Sequence, residues 1–276
     1  MDAPLNQVLL PDNLPELFAA WNRFPDAVPY AGGTDLIGKQ KKDMLDLPPV
    51  FLCLEKIEEL HRITRTEQYL EIGSMTVLNR LINLGKIVPE IFCTCLLNIA
   101  GVQLRNIATI GGNICTASRL LDLPAVLTAL DAQYEFKNAS AARWVSAARF
   151  HSEEQTTLEK QELLTRVRLP LHQWDYAVYR KFKREDSIDS ESLVFLAKTQ
   201  KNILSDIRVI YKGKSILRNK NSEDLLIGKY LPISRKTAND FIFNWMDLFA
   251  QKREISEISI SSILNSIEEN VYNLSE

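Results

Sequence analysis

Two pairs of adjacent glycines, Gly32 and Gly33 in AGGTD and Gly111 and Gly112 in TIGGN, each stand where a regular apolar element meets a turn. Residues 28–31 read as a short strand entering the first pair. Ile91, Cys95, Ile99 and Val102 recur at helical spacing and read as a buried helix that carries the chain toward the second. Glycines without Cβ atoms either make a tight turn or let backbone amides approach a bulky anion directly. Thr109 and Asn113 flank the second pair with a hydroxyl and a carboxamide that can hydrogen-bond phosphate oxygens or sugar hydroxyls. Both segments are therefore simple turns, or together they clamp a diphosphate from opposite sides. Neither is GxGxxG nor GxxxxGK(S/T), so a Rossmann dinucleotide site and a P-loop are both poorly supported.

Short strands and helices alternate around these turns. Strands are expected at 8–10, 50–54 and 69–73, a helix at about 14–21, and another at about 75–84 that Ser74 or Thr76 starts and Gly85 ends. A helix follows at 124–130, then strands at 134–137 and 163–169, the last alternating Leu164, Arg166 and Arg168 against Thr165, Val167 and Leu169. Beyond Pro170 come strands near 177–183, 194–199 and 207–211, a KGK turn at 212–214, and helical patterns from about 222 onward. Strands followed by helices make an α+β pattern. A boundary near 171–176 gives a unit of residues 1–172, itself split near 55–60, and a smaller unit of residues 173–276.

At 276 residues and 46% hydrophobic, the chain can bury a sizeable core. Its net charge of −2 lacks the basic excess of a nucleic-acid footprint. The opening MDAPLNQVLLPDN has no basic n-region and is broken by Pro11 and Asp12, so neither a signal peptide nor a membrane span fits, and the expected compartment is the cytoplasm. Cys53, Cys93, Cys95 and Cys115 form no CxxC pair and read as small buried apolar residues. His61, His151 and His172 lack companion ligands at HExxH-type spacing, so no metal or catalytic histidine is expected. Lys39, Lys41 and Lys42 read as solvated surface.

AGGTDL, ATIGGNICTAS, Asp122 in LLDLPAVLTALDA, ELLTRVRLP and YRKFKREDSID resemble, in order, the motifs of the FAD-binding subunits and domains of molybdenum hydroxylases of the xanthine dehydrogenase and carbon monoxide dehydrogenase type. The likeness runs from about residue 4 to about residue 218. It implies an α+β fold, with a two-lobed FAD-binding domain of the vanillyl-alcohol-oxidase or PCMH-like type and a smaller C-terminal domain of antiparallel sheet plus helices. Carried onto this chain, it puts Pro29, Tyr30, Ala31, Gly32, Gly33, Thr34, Asp35 and Leu36 on the FAD pyrophosphate. Thr109, Ile110, Gly111, Gly112 and Asn113 then form the opposing loop, with Ile99, Asp122, Leu164 and Lys181 at further FAD contacts. A pyrophosphate would repel Asp122, which would accept from a ribose or ribityl hydroxyl instead, or merely cap the helix before Pro124. Only the family pattern singles out Lys181, as a cation offsetting charge on FAD, from a basic run that otherwise reads as solvated face.

The resemblance implies no catalytic acid, base or nucleophile in this chain. A molybdopterin-binding large subunit would oxidise the substrate, a small subunit with two 2Fe–2S clusters would relay electrons, and FAD would pass them to NAD+ or another acceptor. Two rivals remain: a stand-alone FAD oxidase, and a flavin-free assembly or regulatory subunit. The chain departs from the family at Arg119, where proline is usual, and at Ser190 and Glu191, where small apolar residues are common after Asp189. A late family segment is also not recognisable in the polar C-terminal stretch.

Overall fold

The computed structural model describes residues 7–40, 47–116, 121–152, 158–182, 190–252 and 257–274. Its first layer is a parallel sheet of β1 (Gln7–Leu9), β2 (Val28–Tyr30) and β3 (Val50–Cys53), ordered β1-β3-β2, with α1 (Leu14–Arg23) and α2 (Thr34–Gly38) in the connections. Asn13 starts α1, its Oδ1 accepting the Glu16 amide at 2.9 Å. Leu14, Leu17, Phe18 and Trp21 then fall on one helical face and are buried together with Leu52, Leu54 and Leu60.

A five-stranded antiparallel sheet follows, of β4 (Ile63–Arg65) and β5 (Tyr69–Gly73), and then, after the helices, β6 (Gln133–Lys137), β7 (Ala142–Ser146) and β8 (Leu163–Pro170). The strand order is β4-β5-β8-β6-β7. Between β5 and β6 lie α3 (Leu78–Ile82), α4 (Glu90–Leu97), α5 (Val102–Arg105), α6 (Ile110–Cys115) and α7 (Leu123–Ala129), and α8 (Ala147–Phe150) follows β7. Every residue of α7 is buried.

The last layer is an antiparallel sheet of β9 (Tyr176–Phe182), β10 (Glu191–Gln200), β11 (Ile203–Lys212) and β12 (Ile216–Arg218), followed by α9 (Lys220–Leu226), α10 (Arg235–Gln251) and α11 (Glu257–Asn273). Period-two alternation splits β10 and β11 between two cores. Val194, Leu196 and Ile210 pack with the α7 core, whereas Leu193, Phe195, Ala197, Val209 and Tyr211 pack with Phe241, Trp245 and Phe249 of α10 and Ile263, Ile267 and Val271 of α11. Burial on both faces explains why SLVFLA reads as a continuous apolar run rather than an alternating one. The α+β class and the smaller sheet-plus-helix layer are as expected from the sequence. Among the described residues no helix is long and apolar enough to cross a membrane.

Four local expectations are corrected. The helix expected at about 75–84 is only α3, started by Val77 without a side-chain cap. The hydroxyls of Ser74 and Thr76 are buried without partners, because the turn is held instead by their carbonyls, which accept the Gly111 and Ile110 amides at 2.8 and 2.9 Å. The helical spacing from Ile91 to Val102 is not one helix: α4 ends at Leu97, Ala100 adopts a left-handed φ of 48°, and Val102 is exposed on α5. Along β8, Leu164 faces the core with Val167 and Leu169, not outward with Arg166 and Arg168. A bulge against Glu135 and Phe136 leaves Thr165 as an extra residue and reverses the alternation there.

Candidate cofactor cleft

The AGGTD segment leaves the sheet at β2, where Pro29 pairs with Leu52 and Tyr30 with Cys53. The Tyr30 ring packs edge-on against Phe51 at 5.7 Å. Gly33 then takes a φ of 67° and caps α2, a conformation that favours glycine. Gly32 is glycine for a different reason, since a Cβ there would run into the Ile107 carbonyl. The described residues offer no acceptor for the amides of Gly32, Gly33, Thr34 and Leu36. Asp35 forms an i,i+4 ion pair with Lys39, so that lysine is a partner rather than purely solvated; Lys41 and Lys42 lie outside the described residues.

TIGGN is not a free loop but the first turn of α6. Thr109 Oγ1 accepts the Gly112 amide at 3.0 Å and the Thr109 carbonyl accepts the Asn113 amide at 3.0 Å. With Ile110 and Gly111 donating to the preceding turn, all four amides from Ile110 to Asn113 are used inside the protein. The two glycine segments are therefore unlike: the first presents unused amides and the second does not. Gly111 is required by packing, a Cβ there meeting Ser74 at 2.8 Å, whereas one at Gly112 would touch only Thr109 Oγ1 at 3.0 Å. What the second segment retains for a ligand is side-chain chemistry, the Thr109 hydroxyl and the Asn113 carboxamide, whose Oδ1 is buried without a partner.

Between the segments opens a cleft of about 320 Å³, lined among others by Ala31, Gly32, Thr76, Arg80, Ile107 and Thr109. Glu55, His61 and Arg80 also line an adjoining shallow groove of about 650 Å³. His61, unremarkable in the sequence, stands at the junction with Nε2 2.9 Å from the Glu55 carbonyl. Arg80 donates from Nη1 to the His61 carbonyl at 3.0 Å. Nothing in SMTVLNRLI marks Arg80; only its place on the first turns of α3, beside the cleft, does so.

The second cluster gathers Asp122 and Lys181, fifty-nine positions apart. Asp122 precedes α7 but does not cap it: its backbone is already helical, with φ −76° and ψ −32°, and its carboxylate turns toward the C-terminal sheet. Lys181 Nζ donates to Oδ2 at 2.6 Å and Ser190 Oγ to Oδ1 at 2.9 Å, while Lys212 Nζ approaches Oδ1 at 3.3 Å. Lys181 also reaches the Asn98 carbonyl at 3.2 Å, beside Ile99. Lys212, read as part of a turn, and Ser190, read as a departure, are thus members that the sequence left unassigned. Leu164 and Ile110 are buried in the hydrophobic core. Ile99 packs at that core's edge and its carbonyl accepts from Arg105 at 3.1 Å. Arg119 and Asp189 lie outside the described residues.

All four cysteines are free thiols. Burial pushes the Cys115 thiol up to about 12, and burial, reinforced by Asp122, pushes Cys95 higher still. Both are protonated near neutral pH and unreactive.

Residues 4–172 match the family model described as the FAD binding domain in molybdopterin dehydrogenase. The chain is 32% identical over 209 residues to the glyceraldehyde dehydrogenase medium chain of Sulfolobus acidocaldarius, covering 74% of both. It is 32% identical over 244 residues to xanthine dehydrogenase 2 of Arabidopsis thaliana, of which it spans only 18%. Over 165 residues it is 36% identical to the carbon monoxide dehydrogenase medium chain of Afipia carboxidovorans, covering 57% of that chain. In fold it resembles carbon monoxide dehydrogenase from Hydrogenophaga pseudoflava, with a TM-score of 0.80 at 23% identity over 99% of this chain and 96% of that one. Quinoline 2-oxidoreductase from Pseudomonas putida 86 gives the same score at 21% identity, over 100% of this chain and 98% of that one. A family model covering more than half the chain and a relative similar across three quarters of both sequences agree with the order of the glycine segments: the chain belongs to the family of FAD-binding domains of molybdopterin dehydrogenases.

Proposed function

We propose that this chain binds FAD in the cleft beside the two glycine segments and serves as the electron-transfer flavoprotein subunit of a molybdopterin-dependent hydroxylase or dehydrogenase. Residues 1–172 form the FAD-binding domain and residues 173–276 the C-terminal domain. The observation that carries the reading is the set of unused amides at Gly32, Gly33, Thr34 and Leu36 at the end of β2, where Gly32 lines the cleft. Backbone donors with no protein acceptor match a diphosphate, and the residues present fit the cofactor in this respect.

FAD supplies the redox chemistry when bound. The AGGTD amides hold the diphosphate, with Pro29 and Tyr30 fixing the turn and Thr34, Asp35 and Leu36 beginning the helix behind it. Thr109 offers its hydroxyl across the cleft, and Asn113 its carboxamide. Ile110, Gly111 and Gly112 hold that wall in place. Asp122 and Lys181 orient the far end of the cofactor near Ile99, and Leu164 supports the sheet beneath. No side chain acts as acid, base or nucleophile. Electrons arrive from the 2Fe–2S clusters of a small partner subunit, which takes them from a molybdopterin-binding large subunit, and leave to NAD+ or another acceptor. The assembly works in the cytoplasm, in keeping with four free thiols.

A flavin-free assembly subunit is the second reading. It is favoured by the internal use of the amides from Ile110 to Asn113 and by the three donors already on Asp122. The visible spectrum of the protein purified from its native source separates the two: flavin bands are expected, and a colourless, fully folded protein overturns the first reading. The same preparation should carry a molybdopterin subunit and an iron–sulfur subunit in matched amounts. Full substrate turnover by this chain alone would show a stand-alone oxidase instead.

A further inference from the structure

Lys181 was the cation expected from the sequence to offset the charge of FAD, yet its ammonium is engaged by Asp122 and the Asn98 carbonyl. Lys181 therefore offers no free charge to a diphosphate in the glycine cleft. Arg80 stands there. It lies on the exposed side of α3 and lines both the narrow cleft, with Ala31, Gly32 and Thr109, and the adjoining groove, with Glu55 and Arg62.

Its surroundings are unusual for a structural arginine. One guanidinium nitrogen is anchored on the His61 carbonyl, which fixes the direction of the side chain. Among the described residues no carboxylate lies within ion-pairing distance of it. The carboxylates facing the depression are Glu55 and Glu58, against Lys56, Arg62 and Arg80, and Lys56 is turned toward Asp12 at 3.6 Å. An arginine held at one corner, with its remaining N–H donors unpaired and unused amides beside it, matches a bidentate oxyanion.

We propose that Arg80 is a binding residue for the diphosphate of the dinucleotide cofactor, completing with the AGGTD amides the site that TIGGN, its amides spent, does not complete. The assignment rests on the FAD reading above, and the test separates the two. Folded apo-protein is titrated with FAD, following flavin fluorescence, at several sodium chloride concentrations for the wild type and for Arg80→Ala, Arg80→Gln and Arg80→Lys. Circular dichroism melting checks that each variant folds.

Arg80→Ala and Arg80→Gln are expected to weaken FAD binding roughly ten- to a hundredfold, the range for losing a charge-assisted hydrogen bond. Their affinity should also depend less on salt than that of the wild type, while Arg80→Lys falls between. Wild-type affinity in Arg80→Ala overturns the role of Arg80 and leaves the FAD site standing. Weaker binding with an unchanged salt dependence also overturns it, because that is the signature of a merely structural arginine. Absence of FAD binding by the folded wild type overturns both readings at once.

Discussion

Lys181 on β9 and Asp122 at the start of α7 form a hydrogen-bonded ion pair of 2.6 Å across the boundary between the central core and the C-terminal sheet. Among the described residues, the three groups that donate to Asp122 come from the C-terminal layer, Lys181 from β9, Ser190 from the approach to β10 and Lys212 from the end of β11. The carboxylate is 6% exposed, Lys181 22% and Lys212 only 2%. A carboxylate flanked by two ammonium groups is the arrangement that makes burial of either lysine tolerable. The C-terminal sheet therefore does more than cover α7: it supplies both cations of the polar cluster beside Ile99.

Asp122→Ala should be far more destabilising than Lys181→Met. Removing the acid strands Lys212 in the interior without a counter-charge, a cost of ~3–5 kcal/mol for a broken buried pair. Removing Lys181 leaves Asp122 paired with Lys212, and should cost less than about 2 kcal/mol. Urea unfolding of both variants measures the difference. Lys212 Nζ also donates to the Ser190 carbonyl and lies 3.5 Å from its Oγ, so equal losses would mean that these Ser190 oxygens alone stabilise the Lys212 charge.

Gly32, Gly33 and Gly112 should divide by the neighbour a side chain would meet. Gly32→Ala drives a methyl into the Ile107 carbonyl, a backbone group that cannot swing aside, and is expected to cost more than about 3 kcal/mol or to prevent folding. Gly33→Val adds the strain of a positive φ and a collision with the Tyr30 ring, so it too should lose stability as well as ligand. Gly112 is exposed and inside α6, where alanine is intrinsically better than glycine by up to about 1 kcal/mol. Gly112→Ala should melt near the wild type and Gly112→Val close to it. If FAD lies against this turn, Gly112→Val loses the flavin while staying folded; unchanged affinity would confine the diphosphate to the AGGTD side.

Much of this was legible where local rules apply. A helix from about residue 14 and strands near 194–199 and 207–211 are legible in residue order, and α1, β10 and β11 contain them. The glycine pairs marked both walls of the cleft. The sequence could not tell why each glycine is there, because the deciding neighbours, Ile107 for Gly32 and Ser74 for Gly111, are distant in the chain. For the same reason Arg80 went unassigned and Lys212 passed as a turn lysine. The bulge at Thr165, which turns Leu164 inward, depends on how β6 is registered against β8 and leaves no compositional trace. Asp122 and Lys181 were paired with a common role only through the family pattern; that they touch each other follows from sheet packing.

The flavin should be released by acid. Covalent attachment through sulfur needs a thiolate, and burial holds Cys115, the cysteine that ends α6, up to about 12. Precipitation of the yellow protein with trichloroacetic acid should leave a colourless pellet and free FAD in the supernatant. Colour that stays with the pellet would contradict this.

Stability should fall in a defined acid range because of His151. Its Nε2 lies 3.1 Å from the Tyr134 hydroxyl, and its ring meets Phe150 and Tyr134 edge-on at 4.9 and 5.6 Å. Burial among these rings disfavours the imidazolium and pushes the group down to about 4 from an ordinary 6.5. The folded protein thus holds a neutral ring while the unfolded chain takes up a proton below about 6.5. The contribution to stability is complete above that value and drains away as the pH drops from about 6.5 toward about 4, for a total of about 3 kcal/mol. His151→Gln keeps a hydrogen-bonding side chain beside Tyr134 but cannot titrate. Urea unfolding at pH 7, 5.5 and 4.5 should therefore show the wild type losing stability more steeply than the variant. Parallel losses in the two proteins would place the acid sensitivity elsewhere.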